Sequence, residues 1–223
     1  EQASGHPRMD FSLTLLDAAK PAKLRVFFND LLYGGKTLDE YRDILVGEYQ
    51  AGYRAMRAAV KEYPDMPAES LNWYYTESMN FLIFTDKAAL ISREKNYYTG
   101  GAHGMQETSY YAASLAQFEP LYWQDFFTDY NSPELYRLVL DQLRAKDNLA
   151  SGAAPSTGIY FEDEPAITDN FFLTKGGFGF HWNVYDIAPY SEGPIEIIIP
   201  WEKIRPFLST QGISLLADFG INQ

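Results

Sequence analysis

The feature that most constrains the fold is a change of hydrophobic period near residue 70. Leu38, Tyr41, Leu45, Tyr49, Gly52, Met56, Ala59 and Tyr63 recur at steps of three or four. That spacing puts them on one stripe of an amphipathic helix of roughly six turns. Thr37 supplies an N-cap, and Glu40 three residues on completes a capping box. Pro64 stops the helix, because the residue before a proline is driven out of the helical region. Gly52 lies on the apolar stripe and permits close approach of a neighbouring element. From Leu71 the period is two. Residues 72–84 and 88–98 read as strands joined through Asp86-Lys87, and residues 106–115 as a third. Trp73, Tyr75, Phe81 and Ile83 are the inward candidates. Short connections make an antiparallel meander the simplest topology. A long helix followed by a run of strands, rather than an alternation of the two, defines an α+β fold. The expectation is an antiparallel sheet with the long helix of the first half and one or two shorter helices packed on it.

The flanking segments fit that plan. Residues 10–17 alternate, with Phe11, Leu13 and Leu15 on one face, and read as a strand. A second short strand is expected near 24–28, before the turn at Tyr33-Gly34-Gly35-Lys36. Residues 122–127 read as a short aromatic helix or turn. Ser132-Pro133-Glu134 opens a helix reaching about residue 149, with Pro133 at its first position. Residues 150–158 form a loop, and 161–169 an acidic segment facing solvent. Strands follow at 171–174, 178–185 and 195–199, then a short helix at 201–208. The tail from Gln211 is expected to return as an edge strand or to stay loosely packed. The soft organisation is 1–95, 96–208 and a tail at 209–223, within one compact unit.

Composition narrows the function classes. The net charge is −12 and Lys or Arg nowhere cluster. Such a field repels phosphate backbones and anionic membrane surfaces, so no nucleic-acid partner is expected, and a basic partner is weakly favoured. The absence of cysteine rules out disulfides, zinc–thiolate sites and thiol chemistry. No run of 18 apolar residues spans a membrane. The opening Glu1-Gln2-Ala3-Ser4-Gly5-His6-Pro7 is polar and has no initiating Met, which reads as a chain trimmed of an upstream signal peptide or lipid-anchor segment.

Chemistry-bearing motifs are sparse. There is no phosphate-binding or dinucleotide glycine loop and no nucleophile elbow, so no cofactor is expected. The histidines are His6, His103 and His181. His103 lies in Tyr97-Tyr98-Thr99-Gly100-Gly101-Ala102-His103-Gly104, where three glycines in five positions imply positive φ angles. Its ring reads first as a hydrogen-bonding clamp on that loop, then as a ligand contact, and last as a base. His181 alternates out of phase with Phe180 and Trp182, which places it on the less buried face of its strand. His181 with Glu94 or Asp186 has no metal-ligand spacing. Glu162, Asp163, Glu164 and Asp169 lack the regular spacing of a calcium loop and read as a solvated face. Tyr190, in the turn Ile187–Pro194, is an aromatic anchor for a partner or a cover for the sheet edge. The candidate binding set is Tyr98, Gly100, Gly101, His103, Tyr190 and Trp182, with no catalytic or metal set.

Four segments in order resemble one bacterial family. Residues 96–104 are similar to the tyrosine–threonine–glycine–glycine–alanine–histidine–glycine hallmark of DUF3298. Leu121-Tyr122-Trp123-Gln124-Asp125-Phe126-Phe127 resembles its leucine-then-aspartate–leucine–phenylalanine element. Phe171–Phe178 resembles its strand–turn–strand. Tyr185–Tyr190 with Gly193 and Ile197-Ile198-Ile199-Pro200 resembles its closing signature. The first half resembles the companion DUF4163 region in position and in its strand-plus-long-helix pattern. The resemblance implies a periplasmic or extracellular protein, in some members lipid-anchored or membrane-tethered. In the family this domain type occurs in lysozyme-sensing anti-sigma factors and beside polysaccharide deacetylase domains, where catalysis belongs to another domain. It therefore implies a non-catalytic binding or sensing module for a basic extracellular protein such as lysozyme or for peptidoglycan. The alternatives are a hydrolase of cell-wall glycan and a structural envelope protein.

Overall fold

The computed structural model describes residues 8–17, 21–62 and 67–222. The expectations placed on Glu1–Pro7, Tyr63 and Pro64 lie outside the described residues. The fold is α+β. In chain order it runs β1 (Met9–Thr14), α1 (Ala22–Tyr33), α2 (Leu38–Glu62), β2 (Trp73–Phe84), β3 (Ala88–Tyr98), β4 (Met105–Ser114), β5 (Glu119–Leu121), α3 (Pro133–Lys146), β6 (Phe171–Leu173), β7 (Gly177–Trp182), β8 (Ile195–Pro200), α4 (Trp201–Ile204) and α5 (Thr210–Asp218). Short 3-10 turns punctuate it, one of them at Trp123–Phe126.

Contacts divide the chain into two compact units. One takes in the described residues up to Asn80 together with Arg93–Glu107, and the other Phe81–Ser92 with the described residues from Thr108 onward. Strands β2, β3 and β4 each contribute residues to both. The larger sheet has the order β1-β2-β3-β4-β5. It is mixed, since β1 runs parallel to β2, from Met9 opposite Trp73 to Thr14 opposite Ser78, while β5 is antiparallel to β4. A parallel partner was not legible as part of a meander. It follows from the two helices between β1 and β2, which carry the chain back to the same end of the sheet.

In the first unit α2 lays its stripe on the sheet. Tyr49, Tyr53, Trp73 and Tyr75 form a buried cluster against which Phe11, Leu13, Leu45 and Met56 pack. The capping box is present: Thr37 N donates to Glu40 Oε2 at 2.8 Å, and Glu40 N to Thr37 Oγ1 at 3.2 Å. Gly52 lets the helix approach, since a Cβ there would stand 3.4 Å from the Trp73 ring. The short strand expected near 24–28 is instead part of α1. Val26 is exposed, whereas Phe27, Phe28, Leu32 and Tyr33 are buried, which is helical spacing. Gly34, at φ 59°, ends that helix in the left-handed conformation.

The second unit holds the three-stranded antiparallel sheet β6-β7-β8. Phe178 and Phe180 on β7 and Ile199 on β8 are fully buried, and α3 contributes Leu135, Val139 and Leu143. The tail is neither a strand nor loose. It forms α5, capped by Ser209, whose Oγ accepts from Gly212 N at 2.8 Å, and it buries Leu215, Leu216 and Phe219. Two positions expected elsewhere need correction. Phe81 is not inward but 40% exposed, its ring 4.7 Å from that of Phe84. His181 is not on the less buried face but 2% exposed, because β7 is covered on both sides.

Candidate functional site

The glycine-rich turn between β3 and β4 is built by its backbone. Gly100 and Gly101 have φ of 90° and 107°, a region that side-chain-bearing residues rarely enter. At Gly100 space is also short: a Cβ would come within 2.7 Å of Met56 Cε and 3.3 Å of the Ser70 carbonyl. That carbonyl accepts the Trp73 indole N–H at 3.0 Å. Tyr98 folds over the turn, its hydroxyl donating to Gly101 O at 2.9 Å and its ring stacked on Tyr74 with centroids 6.2 Å apart. His103 is exposed, with Nδ1 2.9 Å from Gly104 O.

Thr99, which opens this turn, lines a cleft of about 290 Å³. Its floor is aromatic, with Tyr49 from α2, Tyr75 from β2 and Tyr97 from β3, and its polar rim is Glu48, Lys95, Thr99 and Glu107. Tyr75 and Tyr97 stack at 6.2 Å. Tyr97 donates its hydroxyl to Glu107 Oε1 at 2.7 Å, and burial together with that carboxylate pushes the phenol up to about 12. The Tyr49 hydroxyl is buried and makes no hydrogen bond. Burial, then the charge of Asp10 and the neighbouring Tyr53, lifts it to about 12. The cleft thus offers ring faces below and a lysine, a hydroxyl and two carboxylates above. That combination suits a ligand with flat apolar faces and polar edges.

Beneath the cleft is a buried network the sequence reading passed over. Glu77, with a side chain 0% exposed, receives Arg93 Nε at 2.8 Å, the Tyr75 hydroxyl at 2.5 Å and the Tyr41 hydroxyl at 3.0 Å. Arg93 also donates to the Tyr41 hydroxyl and to Leu32 O. Burial, then the hydrogen bond to Glu77, raises Tyr75 far above the ordinary phenol range. The legible signal was phase, since Glu77 continues the inward series 73, 75, 77, 79.

The other candidates belong to the second unit. Trp182 is buried, donates its indole N–H to Ala166 O at 3.0 Å, and floors a second pocket. Tyr190 is partly buried, its ring 5.6 Å from Tyr185. His181 meets neither Asp186 nor a metal site in its hydrogen bonding. Nδ1 lies 2.7 Å from Glu196 Oε1 and Nε2 3.2 Å from Asn183 Oδ1. The Asn183 amide is itself held by Thr108 N and Thr108 O. The His181 hydrogen bond holds the Glu196 carboxyl below its ordinary value. Among the described residues no group of three or more His, Asp or Glu is placed to hold a metal ion, and no helix is long and apolar enough to cross a membrane.

The described residues thus form an α+β fold with an open tyrosine-floored cleft. The comparisons agree on the fold. Residues 124–202 match the model of the DUF3298 family, described as a protein of unknown function. The matched range begins after the glycine-rich turn. The chain is similar to a member of the DUF3298 family from Bacteroides fragilis, with 29% identity and a TM-score of 0.70, over 86% of this chain and 79% of that one. It is also similar to a DUF3298 family protein from Pseudomonas aeruginosa, with 21% identity and a TM-score of 0.50, over 63% of this chain and 64% of that one. The second likeness concerns the fold alone. A search of curated proteins finds no match.

Proposed function

We propose that this chain is a non-catalytic binding or sensing module of the bacterial envelope, acting outside the cytoplasm on a cell-wall glycan or an envelope-active protein. The observation that carries the reading is the cleft beside the glycine-rich turn, where three tyrosine rings underlie a rim of Glu48, Lys95, Thr99 and Glu107. Sugar rings and extended peptides both present flat apolar faces edged by hydrogen-bonding groups. The envelope location, a lipid anchor upstream, the DUF4163-like first half and a basic partner such as lysozyme are part of the proposal. They rest on family resemblance and on the net charge of −12.

The test is an NMR titration of the protein with soluble peptidoglycan fragments and, separately, with lysozyme, at low and high salt. Saturable shifts at Tyr97, Thr99 and Lys95, lost in Tyr97→Ala, are expected. For a protein ligand the affinity falls as salt rises. No shift at these residues with either ligand overturns the reading.

One observation favours a second reading, a glycan hydrolase. Glu48 and Glu107 line the same cleft, and glycoside hydrolysis uses a carboxyl pair. It predicts release of reducing ends from peptidoglycan, abolished by Glu107→Gln. Fragment binding without turnover decides for the module.

A further inference from the structure

The second unit contains a pocket of about 410 Å³ beneath the acidic segment, unrelated to the tyrosine cleft. Its apolar walls include Phe161, Ile167 and Trp182, and its polar side chains are Glu162, Thr168 and Asp186. Trp182 is fixed by its indole bond to Ala166 O, so the ring faces the pocket with its N–H already used. Asp186 is held in place as well, Oδ2 accepting from Asn183 N at 2.7 Å. The wall at Pro165 is tied to α3 through the Tyr136 hydroxyl, which donates to Pro165 O at 3.0 Å. Next to Asp186, Tyr185 is half exposed and takes a left-handed φ of 72°. A bulky residue in that region costs conformational energy and persists where surrounding structure enforces it.

The chemistry of this lining is one-sided. Two carboxylates only accept hydrogen bonds, no lysine or arginine lines the pocket, the indole donor is occupied, and the Thr168 hydroxyl is the one other side-chain donor in the lining. A neutral sugar could donate hydroxyls to the carboxylates but would leave their negative charge unpaired. A cationic head with several N–H donors on an apolar stem would satisfy the carboxylates and lay its stem along the aromatic wall. The geometry points to an arginine side chain of a basic partner polypeptide as the occupant of this pocket. The inference rests on the reading of the chain as a binding module and adds a second contact, of different chemistry from the tyrosine cleft. The molecule's net charge of −12 favours encounter with such a partner, and the pocket gives that attraction a local address.

The experiment is a titration of the 15N-labelled protein with the peptide Gly-Arg-Gly, following the indole N–H of Trp182 assigned through Trp182→Phe. The same peptide with citrulline replacing arginine serves as a neutral isostere. Saturable shifts are expected for the arginine peptide, with binding at least about tenfold weaker for citrulline. Glu162→Gln and Asp186→Asn should each weaken arginine binding about fivefold or more. Both keep an oxygen acceptor, so the Asn183 contact survives. Glu202→Gln removes the same charge from an exposed site outside the pocket and should leave binding unchanged. Equal binding of the citrulline peptide, or equal weakening by Glu202→Gln, overturns the inference. So does a chito-oligosaccharide that moves Trp182 when the arginine peptide does not. Shifts at Tyr97 with peptidoglycan fragments, alongside silence at Trp182 with arginine, would sink this inference while leaving the module reading intact.

Discussion

Glu77 shows how one side chain ties a helix to a sheet. Its carboxylate is fully enclosed and receives Arg93, Tyr41 and Tyr75, joining α2 to β2 and β3 through charge-assisted bonds. Removing one partner of such a pair leaves the other charge buried. Glu77→Leu should therefore cost about 3–5 kcal/mol in urea denaturation, and the double variant Glu77→Leu/Arg93→Met should recover much of that loss. His181 and Glu196 make a milder pair, because the Glu196 side chain is 46% exposed and solvent screens it. The folded Glu196 carboxyl lies below its ordinary value, chiefly through the hydrogen bond to His181. Its contribution is therefore present above the unfolded glutamate value of about 4.3 and is lost as pH falls through the folded value. In His181→Gln, an NMR pH titration of the Glu196 side chain should move up toward the ordinary value, and the part of the acid destabilisation that this carboxyl contributes should disappear, leaving a flatter stability-versus-pH curve below about 4.3.

At the scale of elements, the β3–β4 turn separates two roles of glycine. Gly101 has a positive φ but open space around its missing Cβ, whereas Gly100 has a positive φ and Met56 Cε at 2.7 Å. Gly101→Ala should lose only the backbone term, on the order of 1 kcal/mol. Gly100→Ala should lose that and a steric term, which shrinks in a Met56→Ala background because the obstructing atom is the end of a flexible side chain. Thermal unfolding of the four variants measures both. Helix α5 illustrates the opposite constraint. Gly212 is helical, but a Cβ there would stand 2.0 Å from the Phe126 carbonyl, so glycine is required by docking rather than by φ.

At the scale of the whole molecule, each unit is organised around its own aromatic core. In the second, β7 is the middle strand of three and carries Phe178 and Phe180 at 0% exposure. Amide exchange should accordingly be slowest along β7 and its partners in that unit, and fast in 150–158. Equal exchange in both would contradict the assigned core. Much of this was readable from periodicity: the α2 stripe, its capping box, the strands from Trp73 onward, and α3 behind Pro133. These are local matters, set by spacing, caps and turns within a few residues. Other features depended on which chain segments meet. The 24–28 stretch satisfies two periods, and only continuation to Leu32 and Tyr33 separates helix from strand. The tail becomes a helix because Leu216 and Phe219 find a core to bury against. His181 is enclosed because β7 is covered on both faces, which alternation within one strand cannot reveal. The glycine-rich turn was visible at once, but the cleft beside it was not, since Tyr49, Tyr75, Tyr97 and Glu107 come from four separate elements. The sequence by itself determined the elements and the α+β class, because those follow from local backbone preference and hydrophobic period. Tertiary structure alone decided the buried Glu77 network, the cleft and the pocket beside Trp182, because burial and convergence arise from contacts between residues far apart in the chain.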